Sequence, residues 1–281
     1  MSSALSVEGG VRVRERIARL LDLHEGGALV FDADGTLWTH DVGCMVFDAA
    51  IANEVFKDST RERLEMVAAR LGHTPTPGAS VTSLVQALAL AFGAPPSSEQ
   101  ALAEFQVWAY LDFTEDELRQ LCRTVLRTPA HSLGLHHDVL ELAAFARERG
   151  ATTSVVSASP RIVVEEALFG LGFRHDQIVA GDPNWTGGTI DVGLRAPLPY
   201  GPEKAVAGRR LLAGASWVAT FGDSDFDLDM MHEAKLAVGL GQKPQLLAGL
   251  RRHPNAVLLG GLRVAPAVHE FPHIGACKTE P

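Results

Sequence analysis

The chain has 281 residues, 46% hydrophobic and 21% charged, an ordinary globular composition that excludes wholesale disorder and allows one large domain or a core with a smaller one. Its 25 Lys+Arg against 34 Asp+Glu leave a formal charge of −9, which argues against non-specific nucleic-acid binding and against an anionic membrane surface. Cys44, Cys122 and Cys277 are scattered and show no CxxC pairing, so neither a disulfide framework nor a zinc site is expected.

The opening residues Met1 to Gly10 lack the basic start and apolar run of a signal peptide. No stretch reaches the ~20 apolar residues of a membrane span. A cytoplasmic protein is expected. Val11, Val13, Ile17, Leu20, Leu21 and Leu23 recur mostly at helical spacing, and Gly26 and Gly27 end that helix. The apolar run Ala28 to Phe31 follows and reads as a buried strand, with Asp32 at its carboxyl end.

Residues 42–130 read as an all-helical insert. Val81 to Phe92 is an apolar helix. Ser97 to Gln100 and Thr114 to Glu117 both fit the capping box, a hydroxyl and an acid or amide three residues apart that satisfy free amides reciprocally. Prolines 75, 77, 95 and 96 punctuate the helices. After Pro129, strands at 152–157, 177–181, 217–221, 236–238 and 256–259 alternate with helices at 137–149, 161–171 and 203–213. Residues 184–191 suit a hairpin turning at Gly187-Gly188, and the tail from about 265 reads as loop. The expected fold class is α/β: a Rossmann-like parallel sheet core, residues 1–41 and 131–281, with an all-helical cap, residues 42–130, inserted after the first strand. Ligands of such sheets bind beyond the carboxyl ends of the strands, under the insert.

Four strand-end or helix-start features carry chemistry. Asp32 and Asp34 leave a strand into the turn at Gly35, so their carboxylates can converge. Asp32 can attack phosphorus to form an acyl phosphate, and Asp34 can protonate the leaving oxygen and later activate water. An acidic turn is the plain alternative. Asp223, Asp225, Asp227 and Asp229 follow an apolar strand and Gly222, a density of acid that a hard cation such as Mg²⁺ relieves. A solvated acidic helix start is the alternative there. An EF-hand is not, because Leu228 and Ala234 stand where Gly and Glu are needed. Ser157 ends a strand and can hold a phosphoryl oxygen, or simply cap a helix. Lys204, at a helix start, can neutralise phosphoryl charge or lie on the surface.

Together these motifs resemble the haloacid dehalogenase superfamily: DxD on the first strand, Ser after the second, then Lys, then GDxxxD. The resemblance spans about residues 28–240. It implies aspartyl-phosphate chemistry with Mg²⁺. Asp32 is then nucleophile and metal ligand, and Asp34 the acid/base with its backbone carbonyl on the metal. Asp223 is a metal ligand, Asp227 supports the metal or orients Lys204, and Ser157 and Lys204 grip the phosphoryl group. The insert's position and Asp34 are similar to the phosphoserine-phosphatase-like branch. There an acid at the place of Asp41 meets a substrate amino group, which makes Asp41, Ser157, Ala158 and Lys204 the substrate-binding set. Asp41 as a helix N-cap is the alternative. Two positions depart from phosphoserine phosphatases: Ala158-Ser159 replaces Gly-Gly, and Phe226 replaces Asn. A relative with its own substrate is implied.

The expected activity is Mg²⁺-dependent hydrolysis of a small phosphorylated metabolite, phosphoserine or an amino-alcohol phosphate. The alternatives are a phosphotransferase or mutase, and a non-catalytic phosphate-binding regulator. Arg61, Arg63 and Arg70 can bind a substrate carboxylate or serve as helix-face charges. Trp108 and Tyr110 can line a pocket of the insert but suit a core role better, and His136-His137-Asp138 reads as a helix start rather than a metal cluster, since adjacent residues do not share a helix face. Gly239 to Gly241 lacks the third Gly of a dinucleotide loop.

Overall fold

The computed structural model describes residues 5–74, 76–95, 98–128 and 133–266. Seven strands form one parallel sheet: β1 (Ser6–Glu8), β2 (Ala28–Phe31), β4 (Thr152–Pro160), β5 (Ile178–Gly181), β8 (Trp217–Gly222), β9 (Leu236–Gly239) and β10 (Ala256–Leu259). Their order is β1-β10-β9-β8-β2-β4-β5. Two antiparallel ribbons sit apart from it, β3 (Gly134–His136) with β11 (Val264–Pro266), and β6 (Pro183–Thr186) with β7 (Thr189–Leu194).

The apolar run at 28–31 is a central strand because both its faces find partners. Leu29 and Phe31 join a cluster with Val13, Ile17 and Leu21 of α1 (Gly10–Leu23), whereas Ala28 and Val30 pack with Leu212 and Met230 on the other face. That period of two is what a strand sandwiched between helical layers requires. Helices α7 (His137–Glu148) and α8 (Arg161–Ala167) accompany α1, while α9 (Pro202–Leu212), α10 (Leu228–His232) and α11 (Pro244–Leu250) follow the later strands.

Sequence and structure differ in several places, among them the unexpected β3, α10 and α11. A three-residue strand, β1, pairs with β10 before the expected first strand, so the insert follows the second strand in chain order. The strand expected at 152–157 runs on to Pro160, and the helix after it ends at Ala167. The tail, read as loop from about 265, begins with β11; residues 267–281, Cys277 included, lie outside the described residues. The cap of α5 (Glu99–Trp108) is Ser98, accepting from the Ala101 amide, and Ser97 lies outside the described residues. The hairpin turns as expected at Gly187 and Gly188, both at positive φ (60° and 85°).

The insert comprises α2 (Val42–Ala52), α3 (Arg61–Arg70), α4 (Val81–Gly93), α5 and α6 (Glu115–Leu126). Its interior is aromatic: Phe105 stacks on Phe92 and meets Trp108 edge-on, while Tyr110 stacks on Phe56. Trp108 and Tyr110 are thus core residues. The capping box of α6 forms as expected between Thr114 and Glu117. Two groups of contacts are prominent among those that join the insert to the sheet layer. The Ile190 amide of β7 donates to Phe113, and the Asp112 amide donates back to Ile190. On the other side, Arg119 of α6 donates to Glu165 (2.5 Å) and Glu166 (3.0 Å) of α8, and Arg123 donates to Glu166 at 2.8 Å. Both glutamates are buried, so each needs its guanidinium. Arg119→Met is expected to cost about 2–3 kcal/mol, less than a full unpairing because Arg161 and Arg123 remain, read as a lower urea midpoint at unchanged slope. Among the described residues no helix is long and apolar enough to cross a membrane.

Candidate active site

The sheet order assembles motifs that lie far apart in sequence. β2 lies between β8 and β4, with Phe31 level with Phe221 on one side and Val155 on the other. One residue further on, Asp32 meets Gly222-Asp223 and the Ser157 segment at the carboxyl edge. The chain crosses from one side of β2 to the other here, the switch point at which open α/β sheets hold ligands. The Asp32 amide donates to the Phe221 carbonyl (3.0 Å), tying the nucleophile candidate to the neighbouring strand.

Asp32 is 4% exposed. Its Oδ1 accepts from Lys204 Nζ at 2.5 Å and its Oδ2 from Thr36 Oγ1 at 3.1 Å. Burial, then the neighbouring Asp227, push its carboxyl well above the usual range, with Lys204 opposing. Lys204 stands in the first turn of α9 and also donates to Asp227 Oδ1 at 2.6 Å. Burial works against its ammonium, but Asp227 and Asp32 outweigh that and hold its pKa above the ordinary value. The sequence alternative of a surface lysine is thereby set aside: Lys204 is 5% exposed.

Asp227 is fully buried, and its Oδ2 accepts from the amides of Asp223 (3.1 Å) and Ser224 (3.0 Å) and from the Ser224 hydroxyl (3.0 Å). Its oxygens are occupied by the loop and by Lys204, so Asp227 shapes the Asp223 loop and aims the lysine. Burial chiefly raises the Asp223 carboxyl, opposed by Lys243, whose Nζ lies 2.6 Å from Oδ2.

Oxygens of Asp32, Asp223 and Asp227 lie within 4.8 Å of one another. An all-carboxylate donor set of this kind suits a hard divalent cation such as Mg²⁺. The Asp34 carboxylate stands outside that trio, which leaves the role given to its backbone carbonyl. Two glycines make the approach possible. Gly35 sits at φ +79°, and a Cβ there would lie 2.4 Å from Asp223 Oδ2; a Cβ on Gly222 would lie 2.5 Å from that of Asp227. Gly35→Ala is therefore expected to weaken Mg²⁺ binding at least tenfold (order of magnitude), measured by calorimetry, with the variant still folded.

Asp34 is held by three donors: Trp38 Nε1 (2.8 Å) and the Val42 amide (2.9 Å) on Oδ1, and Ser159 Oγ (2.6 Å) on Oδ2. Burial, then the charge of Asp41, push its pKa up to about 6, against these hydrogen bonds. A carboxyl poised there can carry a proton to a leaving group and recover one from water. Ser157 is buried, with its Oγ accepting from the Ser159 amide at 3.1 Å, and it lines the cleft with Ala158. Asp41 is the N-cap of α2, its Oδ1 accepting from the Cys44 amide at 2.7 Å, and it lines the same cleft.

All the sequence candidates thus face one cleft or support it. Sequence reasoning missed Ser159, Trp38 and Lys243. Ser159 had a signal, a second hydroxyl at the strand end; the other two reach the site only through the folded loop and through α11. Arg61 donates to the Ala79 carbonyl and Arg63 pairs with Asp112 and Asp191; neither they nor Arg70 line the cleft. His136 occupies the N-cap position of α7 without a side-chain capping bond, its Nδ1 lying 2.9 Å from the Thr36 carbonyl beneath the DxD loop, and Asp138 pairs with Arg263.

A doubly covered parallel sheet with a carboxylate nucleophile candidate at its switch point, under a helical insert, defines the class. The haloacid dehalogenase-like hydrolase family model matches residues 29–232, and the chain belongs to that family. No curated protein matches it in sequence. Similar solved structures include a conserved functionally unknown protein from Anaerococcus prevotii DSM 20548 (14% identity, 91% of this chain and 93% of that one, TM-score 0.64). A HAD family hydrolase from Salmonella enterica subsp. enterica serovar Typhi aligns at 13% identity over 88% of this chain and 76% of that one, TM-score 0.52. Cytosolic 5'-nucleotidase IIIB bound to cytidine aligns at 15% identity over 81% and 77%, TM-score 0.51. Phosphoserine phosphatases are among the further alignments, at TM-scores of 0.44 to 0.48. At these identities the likeness is one of fold.

Proposed function

We propose that this hydrolase is a Mg²⁺-dependent phosphomonoesterase acting on a small phosphorylated metabolite in the cytoplasm, with residues 42–130 as its cap, and with neither nucleic acid nor membrane as partner. The observation that carries the reading is the pairing of two differently held carboxylates: Asp32 against Lys204 at the strand end, and Asp34 held apart from it by Trp38, Val42 and Ser159.

Asp32 attacks phosphorus in line as the ester P–O bond breaks. The electron pair leaves with the alcohol oxygen, which takes the proton of Asp34. Water then attacks the phosphorus of the acyl phosphate, gives its proton to Asp34, and the bond to Asp32 breaks, releasing phosphate and restoring the carboxylate. Ser157 and Lys204 hold the phosphoryl oxygens, and Lys204 is kept in place by Asp227. Asp32, Asp223 and the Asp34 carbonyl would hold Mg²⁺, with Asp227 supporting them, and bound Mg²⁺ offsets the repulsion between anionic nucleophile and phosphate.

The test is phosphate release from a panel of phosphomonoesters with Mg²⁺ or EDTA. Release that requires Mg²⁺ supports the reading; Mg²⁺ bound without release from any member contradicts it and favours a non-catalytic binder. Leaving-group dependence checks the role of Asp34. Asp34→Asn is expected to lower kcat/KM about 10²–10⁴-fold for alkyl phosphates and far less for p-nitrophenyl phosphate, since nitrophenolate needs no proton, while kcat falls for both because hydrolysis of the acyl phosphate still uses Asp34 as base. In the wild type, kcat/KM for an alkyl phosphate is expected to fall as pH rises above about 6, where Asp34 loses its proton, a limb absent from the variant.

A further inference from the structure

The cleft has about 490 Å³ of room, and its far wall is not phosphate chemistry. Glu99 opens α5 of the cap, and its Oε2 accepts from the Tyr200 hydroxyl at 3.3 Å. The Tyr200 ring in turn lies 4.5 Å, centroid to centroid, from that of Phe226, tilted by 41°. All three residues line the cleft, as does Asp41. Asp41 lies close to the reacting end: a Cβ on Gly43 would come within 3.3 Å of its Oδ1 and within 2.9 Å of Ser159 Oγ, the group that holds Asp34. Among the described hydrogen bonds only Oδ1 of Asp41 is engaged.

Charge decides what this wall accepts. Among the described residues lining the cleft there is no arginine, and the basic side chains are Lys204, Lys243 and His40. Its two lysines are committed, Lys204 to Asp32 and Asp227, and Lys243 to Asp223. Of the α3 arginines, Arg61 is turned to Ala79 and Arg63 to Asp112 and Asp191, and Arg70 does not line the cleft. A carboxylate on the leaving group would face Asp41 and Glu99 without a bidentate partner. An ammonium group on the far side of the leaving group would find the Glu99 carboxylate beside the Tyr200–Phe226 ring pair, with Asp41 nearer the phosphate.

Resting on the phosphomonoesterase reading, we infer that the substrate is an amino-alcohol phosphomonoester without a carboxylate, of the phosphoethanolamine or phosphocholine kind, and that Glu99, Tyr200 and Phe226 select its cationic head. Phosphoserine is disfavoured by its carboxylate, which meets no arginine in the cleft, and glycerol phosphate gains nothing from the acids. Phe226, which departs from the phosphoserine phosphatases, acquires a role as part of the ring wall.

Two readouts separate this inference from the reading beneath it. The first is calorimetric binding of phosphocholine, phosphoethanolamine, phosphoserine and glycerol phosphate to the Asp32→Asn protein with Mg²⁺ at pH 8. One or both ammonium ligands are expected to bind about tenfold tighter than phosphoserine and glycerol phosphate. The second is kcat/KM of the wild type and of Glu99→Gln and Phe226→Asn. Each variant is expected to lower the ratio of the preferred ammonium ester to glycerol phosphate about fivefold or more. Phosphoserine or glycerol phosphate binding as tightly as the ammonium esters overturns the inference, as does an unchanged ratio in both variants. Tight, selective ammonium binding without turnover of any ester overturns the phosphatase reading and leaves the selectivity standing.

Discussion

Asp32→Asn is expected to lower phosphate release by at least about a thousandfold while leaving the protein folded. The amide keeps the shape of the side chain but cannot displace an alcohol from phosphorus, and no neighbour can substitute. Asp34 is fixed by three donors, and Asp227 has both oxygens engaged. Folding survives because Lys204 retains Asp227 as a partner and because Asp32 is itself a buried acid that its surroundings disfavour as an anion. Steady-state phosphate release with a matched thermal melt checks both halves. A variant that retains a tenth of the activity would remove Asp32 from the chemistry.

Lys204→Met is expected to abolish turnover and also to destabilise the protein by about 3–5 kcal/mol at neutral pH without divalent metal. The lysine is the shared counter-charge of Asp32 and Asp227, at 2.5 and 2.6 Å, and all three are buried. Methionine fills the volume of the stem but leaves two carboxylates uncompensated. The sign of the pH dependence follows from Asp32. Its carboxyl is already raised, and losing Lys204 raises it further. The folded variant therefore binds a proton that the unfolded chain has released, and its stability falls as pH rises between the ordinary carboxylate pKa and the raised one. The deficit relative to wild type should be smaller at about pH 5 than at about pH 8, read from urea unfolding at both. A deficit independent of pH would mean that packing, not charge, was lost.

The parts of this site that were legible in the sequence are those fixed by short-range pattern. Ala28 to Phe31 is a continuous apolar run and Trp217 to Phe221 is broken only by Thr220, because both faces are buried, so the acids just beyond them, Asp32 and Asp223, announce themselves. What stayed hidden depends on sheet order. Ser159 reaches Asp34 because β4 lies beside β2, and Lys243 reaches Asp223 because β9 lies beside β8. The strands β1, β3 and β11 have three residues each, too few to show a period, and Val7 of β1 is exposed. The tie between α6 and α8 did leave a trace. Glu165 and Glu166 follow Ile162, Val163 and Val164 in a wholly buried helix, and two acids in that setting require cations from elsewhere. The helices between residues 42 and 126 were legible from the Thr114–Glu117 capping box and from apolar runs, but their attachment through the β6–β7 hairpin was not, because it consists of backbone hydrogen bonds to residues 112–113.

Covalent trapping of the phosphorylated side chain is the most direct test. The protein is mixed with Mg²⁺ and a phosphomonoester, quenched during turnover and reduced with borohydride, and its peptides are then read by mass spectrometry. An acyl phosphate on Asp32 is reduced to homoserine, so the account predicts homoserine at position 32 only, dependent on substrate and Mg²⁺. Turnover with position 32 unmodified, or with the phosphoryl group on Ser157, would contradict it.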